Sequence, residues 1–116
     1  MTEGRLYVEK RKFKRVEKSF PIKYKLMPKD NLIESKKNEG QTKDISIGGI
    51  RIEGEAIGDI DDIIRIEFIT ENKDKSITTF AEIKWIKEID GVQQFGVEFL
   101  TLKNDDKAII EKLVNE

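Results

Sequence analysis

The chain is 116 residues long, and 37% of its residues are hydrophobic while 39% are charged. This size and composition predict one small globular domain with shallow pockets, whose function lies on a surface or an arm. The sequence contains no His and no Cys, which excludes imidazole bases, thiolate nucleophiles, disulfides and the usual zinc sites. No apolar run reaches the roughly 20 residues that span a bilayer, and residues 1–10 lack the apolar stretch of a secretory signal. We therefore expect a cytoplasmic protein that is not an enzyme and has no membrane span.

The formal net charge of −1 conceals an asymmetry along the chain. Residues 1–25 contain nine Lys or Arg against three Glu, a net charge of +6, whereas the remainder contains thirteen basic and twenty acidic residues, a net charge of −7. A basic arm on a mildly acidic body suggests an anionic partner that binds at the N-terminal segment. A solvated terminal segment whose charge only keeps the chain soluble explains the same count.

Period-two alternation of apolar and polar residues predicts most of the strands. The first strand is expected over residues 20–26, with Pro21 at its start or on an edge. The polar stretch 28–40 is predicted to be a long hairpin connection, in which Leu32 and Ile33 prolong the pairing. Further strands are predicted over residues 50–52, 64–68 and 77–85, with a polar turn over residues 71–75 before the last of them. Within that last strand Trp85 shares a face with Ala81 and Ile83, so we assign it to the core.

Asp90 and Gly91 are the strongest hairpin signal in the chain, because a type I′ turn needs positive φ at both central residues. The partner strand is predicted over residues 92–99. Closely spaced strands with such turns are typical of an antiparallel barrel or sandwich. Near the end, Asn104 is predicted to cap a short helix that closes one mouth or edge of the barrel. The helix presents an apolar stripe formed by Ile109, Ile110, Leu113 and Val114.

Two groups of residues could bind a ligand, and the first is the basic run Arg11-Lys12-Phe13-Lys14-Arg15. Arg offers a planar fork of donors that pairs bidentately with guanine O6 and N7 or with phosphate oxygens, and its flat face stacks on a base. Lys cannot reproduce that geometry, but Lys10, Lys12 and Lys14 add longer-range attraction for phosphate.

The second group is Asp44-Ile45-Ser46-Ile47-Gly48-Gly49. In extended chain Asp44 and Ser46 point the same way, so a carboxylate and a hydroxyl face one ligand while Ile45 and Ile47 face the core. The paired glycines then allow a sharp turn and a close backbone approach. The alternative is that Asp44 and Ser46 only hydrogen-bond the backbone of their own turn.

Together, in this order, the two groups resemble the signature of the PilZ domain family, Arg-x-x-x-Arg followed by Asp/Asn-x-Ser-x-x-Gly. The chain matches every signature position, with Arg11, Arg15, Asp44, Ser46 and Gly49. The resemblance continues through nearly the whole chain, because residues 50–52, 81–85 and 95–99 look like the corresponding family strands.

The resemblance implies a mainly β fold: a six-stranded antiparallel PilZ-type β-barrel with a short C-terminal α-helix and a flexible basic N-terminal arm. The arm is residues 1–19, and the barrel with its helix is residues 20–116. It also implies a receptor for cyclic di-GMP, a bacterial second messenger, that does not alter its ligand. Such a receptor is expected to act on an unidentified downstream protein in motility, biofilm or exopolysaccharide control, and to be a monomer or weak dimer.

The resemblance assigns Arg11 and Arg15 to guanine edges, guanine faces and phosphates, and Asp44 and Ser46 to guanine hydrogen bonds. The chemistry agrees, because guanine offers O6 and N7 acceptors to Arg and N1–H and N2–H donors to a carboxylate, where adenine would mispair. We therefore expect selection against cyclic di-AMP. Gly49 completes the site, and Gly48 is expected to serve it through turn geometry.

In the family, the residue before the first Arg influences whether one ligand or an intercalated pair is bound. Lys10 in that position resembles the basic residue of the paired form, so the resemblance favours two ligands per chain. Since a dense run of charges has little apolar surface to hold it in place, we expect the arm to be mobile without ligand and to fold over it.

The sequence also bears on three other functions. A PilZ-like protein-interaction scaffold that binds no nucleotide is the main alternative. Binding of DNA or RNA is not expected, because only Phe13 interrupts the basic run as a stacking residue and the body is acidic. The carboxylate pairs Asp61-Asp62 and Asp105-Asp106 do not form a catalytic site, since adjacent residues on a strand diverge and the second pair starts a helix. No metal ligand set or cofactor site is expected.

Overall fold

The computed structural model describes residues 14–27, 37–69 and 76–115. Predictions that fall on residues 1–13, 28–36 and 70–75, including those for Lys10 and Arg11, lie outside the described residues. In chain order the elements are β1 (Arg15–Val16), β2 (Pro21–Leu26), β3 (Lys37–Ser46), β4 (Gly49–Glu53), β5 (Ile63–Ile69), β6 (Ser76–Ile89), β7 (Val92–Phe99) and α1 (Asn104–Val114).

The strands form one antiparallel sheet that closes on itself. Its order is β1-β3-β2-β5-β6-β7-β4, and β3 also pairs with β4. Strands β2 to β7 therefore make a closed six-stranded barrel, and β1 is a short extra strand on β3. Closure satisfies the strand edges that an open sheet would leave unpaired. The predicted six-stranded antiparallel barrel with a C-terminal helix is confirmed.

Alternating side chains fill the barrel, as the period-two pattern predicts. Tyr24 and Phe95 meet edge to face, with ring centroids 5.1 Å apart. The helix contributes a further three buried side chains, Ile110, Leu113 and Val114. Isoleucines supply much of the rest of the core, namely Ile22, Ile45, Ile50, Ile52, Ile64, Ile66, Ile77 and Ile83.

Strand β3 is the sixth strand, and its apolar pattern did not predict it. The predicted connection over residues 28–40 is wrong for its last four residues, because β3 begins at Lys37. A Cβ atom on Gly40 would lie 2.6 Å from the Glu53 carbonyl oxygen and 3.3 Å from Tyr24 Cε1. This inward position therefore has no room for a side chain, and the next one holds the buried Thr42. A strand with glycine and threonine at its inward positions shows no hydrophobic alternation.

Thr42 joins β3 to the bend between β1 and β2. Its hydroxyl donates to the Lys18 carbonyl at 2.7 Å and accepts from the Phe20 N–H at 3.0 Å. The Thr42 N–H also donates to the Phe20 carbonyl at 2.9 Å. Both β1 and β2 thus lie against β3, and the buried hydroxyl satisfies the backbone where the chain changes direction. The domain boundary at residue 19 stays a prediction.

A β-bulge in β6 changes which side chains face the core. The register with β7 shifts between Ile83, which pairs with Val97, and Trp85, which pairs with Gly96. One extra residue reverses the alternation, so Ile86 packs against the core and Trp85 is half-buried on the outer surface. The assignment of Trp85 to the core is therefore wrong.

The sequence predicts the last hairpin turn correctly, but it does not predict the cap of the C-terminal helix. Asp90 has φ of 52° and Gly91 φ of 81°, which confirms positive φ at both turn positions. The predicted cap at Asn104 is wrong, since Asn104 is the first helical residue and Lys103 is the N-cap, without a side-chain cap hydrogen bond. Asp105 and Asp106 do lie in the first turn. Among the described residues, no helix has the length and apolar character needed to cross a bilayer.

Candidate functional site

The candidate site lies on the outer face of four neighbouring strands. Trp85 on β6 is directly opposite Gly96 on β7, Gly96 is opposite Arg51 on β4, and Arg51 is opposite Asp44 on β3. These four residues form one row across the sheet, because directly paired residues present their side chains on the same face. Arg15 on β1 pairs with Ser46, next to the β3 end of the row.

Asp44 is the centre of the charged part of the site. The Arg15 Nη1 group donates to Asp44 Oδ1 at 2.6 Å, and Arg51 Nε lies 2.8 Å from Asp44 Oδ2. Only 9% of the Asp44 side chain is exposed, against 36% of the Arg15 side chain. The structure therefore brings the second arginine of the predicted basic motif together with the aspartate of the other motif. The Arg15 guanidinium keeps an exposed face.

Ser46 serves the turn that follows it. Its Oγ accepts hydrogen bonds from the N–H groups of Gly48 at 3.1 Å and of Gly49 at 3.3 Å. This is the arrangement in which the serine hydrogen-bonds its own turn, whereas Asp44 bonds arginine side chains instead. The hydroxyl proton of Ser46 is not used in either bond, because the oxygen is the acceptor in both. Ser46 can therefore still donate one hydrogen bond to a ligand.

Gly49 allows two strands to come close together. A Cβ atom there would overlap the Val97 carbonyl oxygen and lie 3.2 Å from Glu98 Cα. Both neighbours are backbone atoms of β7, so no side-chain rotation could relieve the overlap. Gly49 thus sets the spacing between β4 and β7 beneath the site, and Gly48 bonds β7 through its carbonyl, which accepts from Phe99 N–H at 2.9 Å.

Trp85 forms a flat aromatic surface over Gly96. A Cβ atom on Gly96 would overlap indole atoms Nε1 and Cε2 and lie 2.9 Å from Cζ2, so the ring rests directly on the glycine backbone. Lys87 Nζ lies 5.4 Å from the centre of the ring, within cation–π range. Trp85 was expected in the core, so it was not among the predicted site residues. The signal was present in the two-residue turn at Asp90 and Gly91, because counting back from that turn pairs a tryptophan with a glycine.

Two cavities meet at Arg15 and Trp85, which line both. The larger, of about 790 Å³, runs from the glycine turn towards α1, and its lining includes Ser46, Gly48, Gly49, Lys84, Glu98 and Lys107. The smaller, of about 580 Å³, is lined by Arg15, Val16, Glu17, Asp44, Arg51, Trp85 and Lys87. Both are open clefts on the barrel surface rather than enclosed chambers.

The chemistry of this surface is that of recognition. Guanidinium groups, the Asp44 carboxylate, the Ser46 hydroxyl and an indole can bind a planar heteroaromatic ring that carries anionic groups. Within residues 14–27, 37–69 and 76–115, acidic side chains do not gather into a set that could hold a metal ion. Arg11 and Lys10, the other basic residues assigned to the site, lie outside these ranges.

The fold is shared with solved PilZ structures. The inhibitor of motility MotI/DgrA of Bacillus subtilis matches with a TM-score of 0.71 and 14% identity, over 90% of this chain and 49% of that one. The PilZ domain of Escherichia coli YcgR, solved with c-di-GMP, matches with a TM-score of 0.67 and 16% identity, over 90% of this chain and 88% of that one. The PilZ domain of CeSA from a cellulose-synthesizing bacterium matches with a TM-score of 0.61 and 16% identity, over 87% and 94% of the two chains.

At these identities the structural likeness shows the fold alone. The chain spans about half the length of the Bacillus subtilis protein. A search of curated proteins found no matching sequence. The family model for the PilZ domain, however, matches residues 9–116, which include both motifs and the whole barrel. The chain therefore belongs to the PilZ domain family.

Proposed function

We propose that this protein is a receptor for cyclic di-GMP that binds the messenger without altering it and signals to a partner protein. The observation that carries the proposal is the ion pair of Arg15 with Asp44 next to the half-buried indole of Trp85, which lines the same cavity. Membership of the PilZ family supports it, as does the E. coli relative solved with c-di-GMP.

The side chains of this group complement guanine on its edge and on its face. A carboxylate such as that of Asp44 accepts from guanine N1–H and N2–H, and a guanidinium donates to O6 and N7. Asp44 Oδ1 accepts one hydrogen bond from Arg15 and Oδ2 is at ion-pair distance from Arg51, so both oxygens have further acceptor capacity. The indole of Trp85 and the open face of Arg15 are both flat surfaces on which a base can stack. Adenine lacks the O6 acceptor and the N1–H donor, so cyclic di-AMP is disfavoured.

The larger cavity offers cationic partners to one phosphate of the ligand. Arg15, Lys84 and Lys107 line it, with Glu98 as an acidic neighbour. The hydroxyl proton of Ser46 is available for one phosphate or guanine oxygen. We assign Arg11 and Lys10 to the same ligand on the strength of the family signature, and Gly48 and Gly49 to the backbone that shapes the cavity.

Two ligands per chain are part of the proposal. Two cavities share Arg15 and Trp85, so flat groups that belong to different ligand molecules could stack on these two side chains. Lys10 also favours two ligands, because it resembles the basic residue that precedes the first signature arginine in family members that bind a ligand pair. A ligand-to-protein ratio near two in a calorimetric titration is the expected result, and a ratio near one would leave a single ligand per site.

The signal to a partner is proposed to pass through the basic arm, residues 1–19. One motif lies on this arm and the other on the barrel, and Arg15 belongs to a strand of only two residues, β1. Ligand binding should therefore protect the backbone amides of residues 5–18 from hydrogen exchange. Equal exchange in that segment at zero and saturating ligand would contradict this mechanism. The Bacillus subtilis relative is described as an inhibitor of motility, which supports motility as one process to examine.

The test is isothermal titration of the protein with cyclic di-GMP at physiological ionic strength, with cyclic di-AMP and GTP as competing ligands. Arg15→Ala should weaken binding by about 1–3 kcal/mol, the value of one bidentate arginine contact to guanine, and Arg15→Lys should recover little of it. The matched control is Arg65→Ala, since Arg65 lies on β5 opposite Phe80 and lines neither cavity.

The outcomes distinguish a selective receptor, binding through charge alone, and a scaffold that binds no nucleotide. Selective binding that Arg15→Ala weakens by at least the expected amount and that Arg65→Ala leaves intact supports the receptor. Wild-type affinity in Arg15→Lys would show that only charge matters, not the fork of donors. No binding by folded protein would refute the receptor and leave a protein-interaction scaffold as the function to test.

A further inference from the structure

Arg51 belongs to neither sequence motif, yet it lies in the middle of the site. It follows Gly49 by two residues on β4, and its neighbours across the sheet are Gly96 on one side and Asp44 on the other. Gly96 has no side chain, so the Arg51 side chain lies in the row between the indole of Trp85 and the carboxylate of Asp44. About 30% of the Arg51 side chain is exposed.

The hydrogen bonding of Arg51 is incomplete. Its Nε is at ion-pair distance from Asp44 Oδ2, 2.8 Å, but the N–H does not point at that oxygen. Among the described residues, the buried Arg51 Nε–H has no hydrogen-bond acceptor. Buried donors in folded proteins are almost always satisfied, so this donor beside an open cavity is available to an acceptor that a ligand brings in.

The charge of the smaller cavity fits an anionic ligand group. Its lining includes three cationic side chains, Arg15, Arg51 and Lys87, and two anionic ones, Asp44 and Glu17, a net charge of +1. Asp44 is already paired with both arginines. A phosphodiester carries one negative charge, and its two free oxygens match the planar donors of a guanidinium.

We propose that Arg51 binds a phosphate of the ligand in the smaller cavity, as an additional ligand-binding residue of the site. This proposal rests on the proposed function, because the phosphate is that of cyclic di-GMP. The competing explanation is that Arg51 only orients Asp44 and touches no ligand. Both explanations predict weaker binding when Arg51 is replaced, so the decisive experiment has to remove the contribution of Asp44.

The experiment measures cyclic di-GMP affinity in wild-type protein and in Arg51→Gln, Asp44→Asn and the double variant. Arg51→Gln should lower the affinity by a factor between about ten and about one hundred, as expected for a charge-assisted hydrogen bond. The same substitution should lower the affinity by a similar factor when Asp44 is already Asn, because a direct contact to phosphate does not act through Asp44. Arg65→Gln, which replaces an arginine outside both cavities, should leave the affinity unchanged.

A loss of affinity that disappears in the Asp44→Asn background would overturn the proposal and make Arg51 a positioning residue. An unchanged affinity in Arg51→Gln would overturn it as well, while a weakened Arg15→Ala variant measured alongside would keep the proposed function intact. No binding by folded wild-type protein would refute the proposed function and this proposal together.

A measurement on the unaltered protein gives an independent result. The proton–nitrogen resonance of Arg51 Nε–H should shift at saturating cyclic di-GMP, and its exchange with water should slow, because the ligand supplies the missing acceptor. An unchanged Arg51 resonance in a sample whose Trp85 resonance does respond would contradict the phosphate contact. Circular dichroism of each variant shows whether it is folded before its affinity is compared.

Discussion

The close contact between Gly96 and Trp85 predicts that the substitution Gly96→Ala displaces the indole ring. The added methyl group would overlap indole atoms Nε1 and Cε2 and lie 2.9 Å from Cζ2, whereas ordinary contact begins at 3.4 Å. The ring must therefore move by at least 0.5 Å at Cζ2, the difference between those two values, and further at Nε1. Trp85 is half-buried on the outer surface, so it can lift away without opening the barrel.

Two opposing effects set the magnitude. Overpacking of this kind costs about 1–3 kcal/mol, while alanine in a strand is favoured over glycine by about 0.5–1 kcal/mol. We expect Gly96→Ala to destabilise the wild-type protein by about 0–2.5 kcal/mol. In a Trp85→Ala background no clash remains, so the same change should stabilise the fold by about 0.5–1 kcal/mol. The coupling energy between the two positions is then about 1–3 kcal/mol.

Urea unfolding of the four proteins, followed by far-ultraviolet circular dichroism, measures this coupling. Independent sites add to within about 0.5 kcal/mol. A measured coupling energy below that value would refute the packing of the indole on the glycine backbone. Trp85 is the one tryptophan of the sequence, so its emission reports on the site directly and should shift to longer wavelength in Gly96→Ala. The same variant should bind cyclic di-GMP more weakly, by up to the 1–3 kcal/mol that stacking of a base on an aromatic ring contributes.

Three further predictions concern the scaffold. Thr42→Val should destabilise the fold by about 1–3 kcal/mol, because it leaves a buried N–H and a carbonyl without their shared hydroxyl, and it should weaken ligand binding by releasing Arg15. Gly49→Ala should cost about 3 kcal/mol or more, since the new methyl group meets the Val97 carbonyl oxygen and neither strand can move. Burial raises the pKa of Tyr24 from its ordinary value of 10.0 to about 12, so the unfolding free energy should fall between about pH 10 and pH 12, by at most about 1.4 kcal/mol per pH unit.

Each of these has a matched control. Thr42→Ser keeps the hydroxyl and should retain most of the stability and affinity. Gly91→Ala replaces a glycine with φ of +81° but no atom within 4 Å, so it should cost only the backbone strain of about 1–2 kcal/mol. The unfolding free energy should fall as the pH rises, because the Tyr24 pKa is higher in the folded protein and the unfolded chain therefore loses its phenolic proton first. Tyr24→Phe should remove that part of the slope, and an unchanged slope would contradict the assignment.

Alternation of side chains predicted the strands whose inward positions are apolar. Ile64, Ile66 and Phe68 on β5 are an example, because each inward position there holds a large hydrophobic residue. The first part of strand β3 escaped this reasoning, since its inward positions hold Gly40, which lies beneath other backbone atoms, and Thr42, which bonds the chain instead of packing. Steric and polar demands of neighbouring strands, which a local pattern does not contain, selected those residues.

In the site, too, the sequence predicted the residues that belong to a motif and missed those whose role depends on neighbouring strands. Arg15 and Asp44 were assigned to one ligand through their motifs, and the structure places them in an ion pair. Trp85 was assigned to the core because a regular alternation was assumed through a strand that contains a bulge. No local pattern marks Arg51 as a site residue, because its importance depends on which residues lie beside it on the adjacent strands.

The larger cavity is bordered by the first described strand, through Arg15, and by the C-terminal helix, through Lys107. Strand β1 pairs with β3 alone, and elements with neighbours on fewer sides than central strands fray first. A ligand held between β1 and α1 would therefore oppose fraying of both elements at once. Binding and resistance to proteolysis would then rise together, although the ligand touches only the outside of the barrel.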